Sequence, residues 1–229
     1  MPVFRLILDE PRSASLNMAV DEFLMLSQSG EGAAPVLRFY SWDKPSVSIG
    51  YFQKVEEAAK KFEGVPVVRR ISGGGTVQHG KDLTFSLSIP VKNPFFPADV
   101  KSSYLRINEA VRTGLKELYP KLDYADCRTV PAGKRQGGGR ICFEAPACYD
   151  LLLSGKKVLG ASQRRIGKDL LHQSAMFLGG DRARLIDGIV NGFRSLWKAD
   201  LQERPLSREE LLKAGELERK RYDSAEWAG

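Results

Sequence analysis

Three consecutive glycines, Gly73 to Gly75, stand between two segments whose residue pattern predicts strands. Glycine has no Cβ, so such a run can adopt positive φ angles and bring backbone N–H groups into contact with a bound group. The run is neither a Walker loop nor a dinucleotide fingerprint, because no Lys-Ser/Thr pair follows and no helix is predicted to begin there. We therefore predict a backbone platform for a carboxylate, a phosphate or the oxyanion of an acyl transfer. A glycine-rich surface turn beside Arg69 and Arg70 explains the local sequence equally well.

The spacing of hydrophobic residues predicts an α+β fold, since some segments alternate as strands do and others repeat at helical spacing. The predicted strands are Phe4 to Leu8, Val36 to Tyr40, Ser46 to Tyr51, Val65 to Arg70, Leu83 to Ile89, Tyr149 to Leu153, Lys156 to Ala161 and Leu171 to Leu178. The first predicted helix begins at Ser13 or Ser15, and two more span Val55 to Phe62 and Ser103 to Leu118. Two short helical stretches are predicted after Leu178. A last helix begins at Ser207, where Glu210 has capping-box spacing.

Length and organisation favour one domain. A chain of 229 residues can bury a full core, and the sequence shows no repeat and no linker before about residue 200. We therefore expect a single domain over residues 1–229, with its core at about 30–200 and a C-terminal helix at 207–222 packed on it. The sheet is expected to be mostly antiparallel.

The net charge of +7 is concentrated in one segment. Nine basic residues lie between Arg128 and Lys168 and only Glu144 and Asp150 oppose them, which gives this segment +7 and leaves the rest neutral. Such a field steers an acidic protein or a phosphorylated small molecule. A nucleic-acid partner is disfavoured, because the segment lacks the interleaved aromatic residues of a stacking platform.

Two negative observations concern location. No apolar run approaches the roughly 18 residues that span a bilayer. The segment from Met1 to Asp9 lacks the apolar length and the flanks of a signal peptide. We therefore expect a cytoplasmic protein without a membrane partner.

Three cysteines cannot pair completely, and no CxxC spacing joins Cys127, Cys142 and Cys148. With only two histidines a zinc site is poorly supplied, so we expect no metal. Reduced thiols are expected, each of which can be a small core residue. The Gly-rich loop from Pro131 to Gly139 is expected to be mobile when nothing is bound.

A hairpin argument selects one thiol as a nucleophile. Ser154 and Gly155 are predicted to form a two-residue turn in which Leu153 pairs with Lys156. Cys148 would then lie opposite Ala161, roughly 13 Å along the ladder from Lys157. Cys142 precedes the strand and can fold back, so we predict Cys142 as the nucleophile, with Lys157 lowering the pKa of its thiol.

The other cysteines and two further residues allow simpler interpretations. Cys127 and Cys148 are expected to be packing residues. Lys157 can equally be a solvated strand residue. His79 can act as a base, but a histidine at the entry to a strand is more often a structural hydrogen-bonding group.

Two motifs resemble the lipoate/biotin protein ligase and octanoyltransferase superfamily. The segment from Arg69 to His79 is similar to its ligand-binding motif, and the segment from Gly155 to Gly160 is similar to the motif that carries its catalytic-site lysine. Asn17 to Glu22 and Tyr222 to Trp227 resemble the family too. The resemblance implies a central mixed sheet, no metal or other cofactor, catalysis by Cys142 and Lys157, and a substrate site of Arg69, Arg70, Ser72, Gly73, Gly74, Gly75, Val77, His79, Gly160 and Ala161.

Within that superfamily, the segment from Cys142 to Pro146 is similar to the active-site segment of LipM-type octanoyltransferases. That branch implies octanoyl transfer from acyl carrier protein, through a cysteine thioester, to a lysine of a lipoyl domain or a glycine-cleavage H-type protein. Two alternatives stay open. Gly75 stands where the transferase branch would have an arginine, which is typical of ATP-dependent lipoate ligases, some with a separate accessory subunit. A relative that binds acyl groups without turnover is the other.

Overall fold

The computed structural model describes residues 1–30, 32–90, 99–128, 143, 145–167, 169–224 and 227. The helices are α1 (Ala14–Leu26), α2 (Val55–Lys61), α3 (Val100–Leu115), α4 (Arg182–Trp197) and α5 (Arg208–Leu217). The strands are β1 (Val3–Arg12), β2 (Val36–Trp42), β3 (Ser46–Ile49), β4 (Val67–Arg69), β5 (Val77–His79), β6 (Leu83–Pro90), β7 (Leu122–Tyr124), β8 (Leu151–Leu153), β9 (Lys156–Ile166), β10 (Asp169–Met176) and β11 (Asp200–Glu203). The predicted mobile loop from Pro131 to Gly139 lies outside the described residues.

Eight strands form one mixed sheet in the order β11-β1-β2-β6-β10-β9-β8-β7. The pairings of β1 with β11 and with β2 are parallel. The other pairings, from β2–β6 to β7–β8, are antiparallel. A second sheet has the order β4-β3-β5. The predicted α+β class and the mostly antiparallel mixed sheet are confirmed.

Helices cover both faces of the large sheet. Along β2, Leu37 and Phe39 pack with α3 and α4, whereas Val36 and Tyr40 pack on the side of α1. Successive strand residues point to opposite faces, so a strand buried on both sides needs the continuous apolar run seen here. α5 joins α1 on its face through Ala214.

Local signals placed most element boundaries well. The Ser13 side chain accepts from Leu16 N and caps α1. Ser207 and Glu210 form the predicted capping box at the start of α5. The structure adds β5, β7 and β11, three short strands that the pattern did not indicate.

The expectation of two short helices after Leu178 is wrong, because α4 is one continuous helix of 16 residues. Its glycines are required by contact with α3 rather than by a helix break. A Cβ on Gly192 would lie 1.9 Å from the Ala110 carbonyl oxygen, and one on Gly114 would lie 1.9 Å from that of Gly188. Close packing of the two helices therefore overrides the low helix propensity of glycine.

Candidate active site

The glycine-rich turn, residues 72–75, joins β4 to β5 at one end of the small sheet. Gly74 has φ of 93°, a left-handed conformation that favours glycine. Gly50 packs against this turn so closely that a Cβ there would lie 2.0 Å from the Gly74 carbonyl oxygen. The turn therefore depends on glycine at two places, one for its dihedral angle and one for its neighbour.

Arg70 holds the turn from beneath. Its guanidinium donates to the carbonyl oxygens of Gly73 at 2.8 Å and Gly75 at 2.7 Å, and to Ser48 Oγ at 3.0 Å. Only 5% of Arg70 is exposed. In a trans peptide the C=O and the following N–H point in opposite directions. The N–H groups of Gly74 and Thr76 consequently point away from Arg70.

His79 is held at both ring nitrogens. Nδ1 lies 2.8 Å from Asp82 Oδ2, Nε2 lies 2.8 Å from Ser48 Oγ, and the ring stacks on Trp42. Burial lowers the pKa of His79 even though Asp82 opposes the shift. A neutral imidazole hydrogen-bonded on both sides has a structural role here. His79 thus links Asp82, through Ser48, to Arg70 and the glycine-rich turn.

Ser72 ties the turn to the large sheet. Its hydroxyl donates to Gln173 Oε1 at 2.5 Å and lies 2.8 Å from Ser162 Oγ. Gln173 Nε2 in turn donates to Asp21 Oδ2 at 2.8 Å. Because Asp21 can only accept, it fixes the orientation of the Gln173 amide and presents the amide oxygen to Ser72.

Asp21 is the centre of a buried polar network. It is fully buried and accepts from Arg38, Tyr40 and Ser86 as well as from Gln173. The Arg38 guanidinium lies 2.8 Å from Asp21 and 2.7 Å from Asp9. Burial of these charges is tolerated because they are paired and hydrogen-bonded.

A mainly apolar cavity of about 370 Å³, its mouth included, lies beside the turn. Strands β2, β9 and β10 and helix α1 supply most of its walls. Its lining residues are Met18, Tyr40, Trp42, Ser48, Arg70, Val77, His79, Thr84, Gly160, Ala161, Ser162, Gln173, Ser174 and Ala175. The structure therefore brings the predicted residues Arg70, Val77, His79, Gly160 and Ala161 together, with Ser72 directly behind Ser162. The polar groups of this cavity lie at the end nearest the glycine-rich turn.

Arg69 points elsewhere. It donates to the backbone oxygens of Tyr51 and Trp227, both at 3.1 Å, and its guanidinium lies over the Trp227 ring. Alternation along β4 explains this, because Arg69 and Arg70 are neighbours and their side chains leave opposite faces. Of the two predicted arginines, Arg70 is the one at the cavity.

A second, wider cavity adjoins the first at His79. It is lined by Pro45, Gln78, His79, Gly80, Lys81, Phe143, Lys157 and Phe177. The Lys157 ammonium lies 5.1 Å from the centre of the Phe143 ring and 2.7 Å from Asp150 Oδ2. Lys157 is not a solvated strand residue, since only 5% of its side chain is exposed. Cys142, the predicted nucleophile and the neighbour of Phe143 in sequence, lies outside the described residues.

The hairpin prediction was correct at its turn and wrong beyond it. Leu153 pairs with Lys156 as predicted, but the register shifts between Leu152 and Leu151, where β8 begins. The pairing of β8 with β9 stops at Leu151, which pairs with Leu159, so Cys148 lies outside the ladder and is not paired with Ala161. The reason is that a chain reversal at Tyr149, with φ of 68°, replaces the expected strand.

The expectation of reduced thiols is wrong for two of the three cysteines. Cys127 and Cys148 form a disulfide, with their Cα atoms 4.5 Å apart. The bond joins the segment after β7 to the turn before β8. The two residues are 21 apart in sequence, so their pairing could be recognised only once the chain reversal was known.

Sequence analysis also missed several residues that build the site, among them Asp82, Asp150, Ser162 and Gln173. Asp150 carries a faint signal, because it lies within the basic segment as one of two acids. Gln173 carries none, since its role depends on which residues face it across the sheet. Over the described ranges, no group of three or more His, Cys, Asp or Glu side chains could hold a metal ion. The helices of the described chain include none that is long and apolar enough to cross a bilayer.

The family model "Lipoyl protein ligase A/B catalytic domain" matches residues 13–202. The octanoyltransferase LipM of Carboxydothermus hydrogenoformans is 39% identical over 189 residues, which cover 80% of this chain and 67% of that protein. The octanoyltransferase LipM of Brevibacillus brevis is 30% identical, with 99% of both chains covered. The predicted resemblance, including the octanoyltransferase branch, is confirmed.

A solved structure described as an archaeal lipoylation system, a bi-partite lipoate protein ligase and its E2 lipoyl domain from Thermoplasma acidophilum, superposes with a TM-score of 0.77. The sequences are 25% identical, and the match covers 100% of this chain and 96% of that one. Relatives of this chain thus include proteins named octanoyltransferase and a protein named lipoate protein ligase. The choice between these two activities therefore depends on the site.

Proposed function

This chain belongs to the lipoyl protein ligase A/B catalytic-domain family, and from that premise we propose that it transfers an octanoyl group from acyl carrier protein to a lysine of a lipoyl domain. Cys142 carries the acyl group as a thioester between the two partners. The relatives named octanoyltransferase support the reaction class. The observation that carries the mechanism is the placement of Lys157 and Phe143, the residue after Cys142, in one cavity that adjoins the apolar one.

In the first step the Cys142 thiolate attacks the carbonyl carbon of the donor thioester. A new C–S bond forms, and the thiolate of the carrier's prosthetic arm leaves and takes up a proton. Lys157 favours the thiolate of Cys142, because a nearby cation lowers the pKa of a thiol. The Gly74 and Thr76 N–H groups, turned away from Arg70, stabilise the negative oxygen that develops on the acyl carbonyl.

In the second step the neutral amine of the acceptor lysine attacks the acyl-enzyme. The amide bond forms and the C–S bond to Cys142 breaks. The amine loses one proton, and Cys142 leaves as a thiolate that can take up that proton. No ATP is consumed, since the energy of the thioester drives both steps. The alkyl chain of the octanoyl group lies in the apolar cavity between Tyr40, Val77 and Ala161 in both steps.

The partners follow from the same premise. The donor is octanoyl acyl carrier protein, and the acceptor is a lipoyl domain or a glycine-cleavage H-type protein, in the cytoplasm. Part of the basic segment is available to such partners, because Lys156 is exposed. Lys157 is engaged within the fold and does not contribute to that surface.

The test is intact-mass spectrometry of the purified protein after mixing with octanoyl acyl carrier protein in the absence of ATP. We expect a hydroxylamine-labile adduct with the mass of one octanoyl group, absent in Cys142→Ala and retained in the matched control Cys148→Ala. Addition of a lipoyl domain then moves the octanoyl group to that domain as a hydroxylamine-stable amide. An adduct lost in Cys148→Ala but kept in Cys142→Ala would identify Cys148 as the nucleophile and contradict the proposed role of Cys142.

The ATP-dependent lipoate ligase is the second candidate, favoured by the structural match to the bi-partite ligase. It predicts no adduct from the acyl carrier protein, and lipoyl-domain modification only when lipoate and ATP are supplied. That result would overturn octanoyl transfer. Binding of octanoate without any adduct or modification would instead identify a non-catalytic relative.

A further inference from the structure

Lys157 and Asp150 form a buried ion pair at the junction of β8 and β9. The Nζ and Oδ2 atoms are 2.7 Å apart, and 5% and 3% of the two side chains are exposed. The same Oδ2 atom accepts from Ala147 N at 2.6 Å, and Asp150 N donates to Ala147 O at 3.0 Å. One carboxylate oxygen of Asp150 therefore stabilises the turn from Ala147 to Asp150 and also binds the Lys157 ammonium.

The turn that carries Asp150 is fixed to two other elements. The Asp150 carbonyl accepts from Ala125 N at 2.8 Å, next to β7. From α3, Asn108 Nδ2 donates to Tyr149 O at 2.7 Å. Tyr149 itself has a positive φ of 68°, which only a surrounding structure that imposes it can maintain. The carboxylate is thus presented to Lys157 from a rigid support.

We propose that Asp150 is a positioning residue, which holds the Lys157 ammonium in an ion pair and directs it at the Phe143 side of the wider cavity. The proposal deepens the proposed function, since it concerns how Lys157 acts there, but the pairing itself can be measured without the reaction. A buried ammonium without a counter-charge would favour its neutral form, and a neutral amine cannot stabilise a thiolate. The flexible four-carbon stem of lysine also needs a fixed partner to keep one direction.

The charges around the pair are consistent with this role. Burial raises the pKa of Asp150, and the Lys157 ammonium opposes that shift. Of the described residues that line the same cavity, the other titratable side chains are His79, from β5, and Lys81, from the loop before β6. His79 is neutral, for the reasons given above, and Lys81 is a like charge. Among the described residues that line this cavity or contact Lys157, Asp150 is the acid that balances the ammonium.

The first experiment measures the Lys157 titration by NMR of protein carrying ε-13C-lysine. The resonance is assigned by its loss in Lys157→Arg. In Asp150→Asn, which keeps the shape of the side chain but removes its charge, we expect the Lys157 resonance to titrate at lower pH than in the parent protein. The matched control Asp123→Asn, an exposed acid on β7 next to the hairpin, leaves the titration unchanged. An unchanged titration in Asp150→Asn overturns the proposal, whatever the protein catalyses.

The second experiment follows the rate of octanoyl-adduct formation against pH. In Asp150→Asn we expect a rate about 10- to 100-fold lower near neutral pH, since a displaced catalytic group is costly, and an alkaline decline that begins at lower pH. Asp150→Glu restores most of the rate and the original decline. In Lys157→Met, the additional change Asp150→Asn has little further effect, because the group that Asp150 positions is already absent.

The outcomes separate the two proposals. If the parent protein forms no adduct, octanoyl transfer fails while the NMR titration still decides the role of Asp150. If Asp150→Asn lowers the rate equally at every pH, or lowers it as much in Lys157→Met as in the parent, Asp150 has only a structural role and the proposal is wrong. Circular dichroism shows whether Asp150→Asn lowers the thermal stability. If it does, the titration and the rate are compared between Asp150→Glu and the parent protein instead.

Discussion

The two cavities meet at His79 but are held in place by different means. Most residues that line the apolar cavity belong to central strands of the large sheet, and a chain of buried hydrogen bonds runs from the glycine-rich turn through Ser72 and Gln173 to Asp21. The wider cavity lies toward the sheet edge formed by the three-residue strands β7 and β8. There the Lys157–Asp150 ion pair and the Cys127–Cys148 disulfide fix the chain.

The difference follows from what each side is proposed to do. A pocket that selects an acyl chain needs one shape, and a fully satisfied polar network behind it specifies that shape. Under the proposed function the wider cavity admits two protein partners in turn, and it lies toward the edge of the sheet. Short edge strands supply few ladder hydrogen bonds, and local cross-links replace them.

The largest expected effect comes from breaking the central network at Asp21. In Asp21→Asn the Arg38 guanidinium loses one of its two carboxylates inside the protein. We expect the free energy of unfolding to fall by about 3–5 kcal/mol, measured by urea denaturation. The exposed acid Asp187 on α4 provides the control Asp187→Asn, with a change near zero. A small loss in Asp21→Asn would mean that the network does not stabilise the central region.

The disulfide gives the next largest effect, now at the edge. Closure of a loop of about this length stabilises a protein by about 3 kcal/mol in the chain-entropy description. We expect Cys127→Ser to lower the melting temperature in the absence of reductant and to abolish the sensitivity of that temperature to dithiothreitol. Alkylation of the parent protein without reductant should label one of the three cysteines. Labelling of all three would show that the edge is held without the disulfide.

Ser72→Ala tests the link between the turn and the large sheet. The change leaves Gln173 Oε1 without its donor and Ser162 without its acceptor, both in buried positions. We expect a loss of about 2 kcal/mol in the free energy of unfolding, together with weaker binding of octanoate measured by calorimetry. Ser102→Ala, at the exposed start of α3, is the matched control. Unchanged octanoate binding in Ser72→Ala would separate the turn from the acyl cavity.

The smallest effect concerns pH and the buried His172 on β10. Burial lowers the pKa of His172 to about 3, so the folded protein keeps it neutral while the unfolded chain binds a proton below its ordinary pKa of about 6.5. Stability therefore falls as pH drops, by about 1 kcal/mol between pH 6.5 and 5.5 from this residue. We expect thermal unfolding of His172→Gln to show a weaker acid dependence over that range. His79, still present in the variant, accounts for part of what remains.

The sequence predicted the ends of helices and the position of a turn wherever these depend on neighbouring residues. The Ser13 and Ser207 caps, the Ser154–Gly155 turn and the apolar stripe of α3 depend on residues a few positions apart. Short strands such as β7 escaped, because three residues carry too little pattern. The sequence also failed to predict that α4 is continuous. Its glycines are explained by the close packing of α4 against α3, which lies far from them in sequence.

The same division applies to the site. Arg70, Val77, His79, Gly160 and Ala161 were predicted from motifs, and they line one cavity. The motif could not say that Arg70 faces that cavity while Arg69 holds Trp227, nor that Gln173 and Asp21 lie behind the turn. Those facts depend on which strands become neighbours, and parallel pairs and crossovers bring together residues far apart in sequence.

The sequence alone determined the family, the α+β class, the glycine-rich turn and the hairpin turn that precedes Lys157, because each depends on residue types at short, fixed spacings. Tertiary structure decided which groups those residues meet. Asp150, a carboxylate, lies against Lys157, Cys148 is joined to Cys127, and Asp21 lies behind Gln173 of the apolar cavity. The physical reason is that burial determines which charges must be paired and which polar groups must be satisfied, and burial is a property of the packed chain.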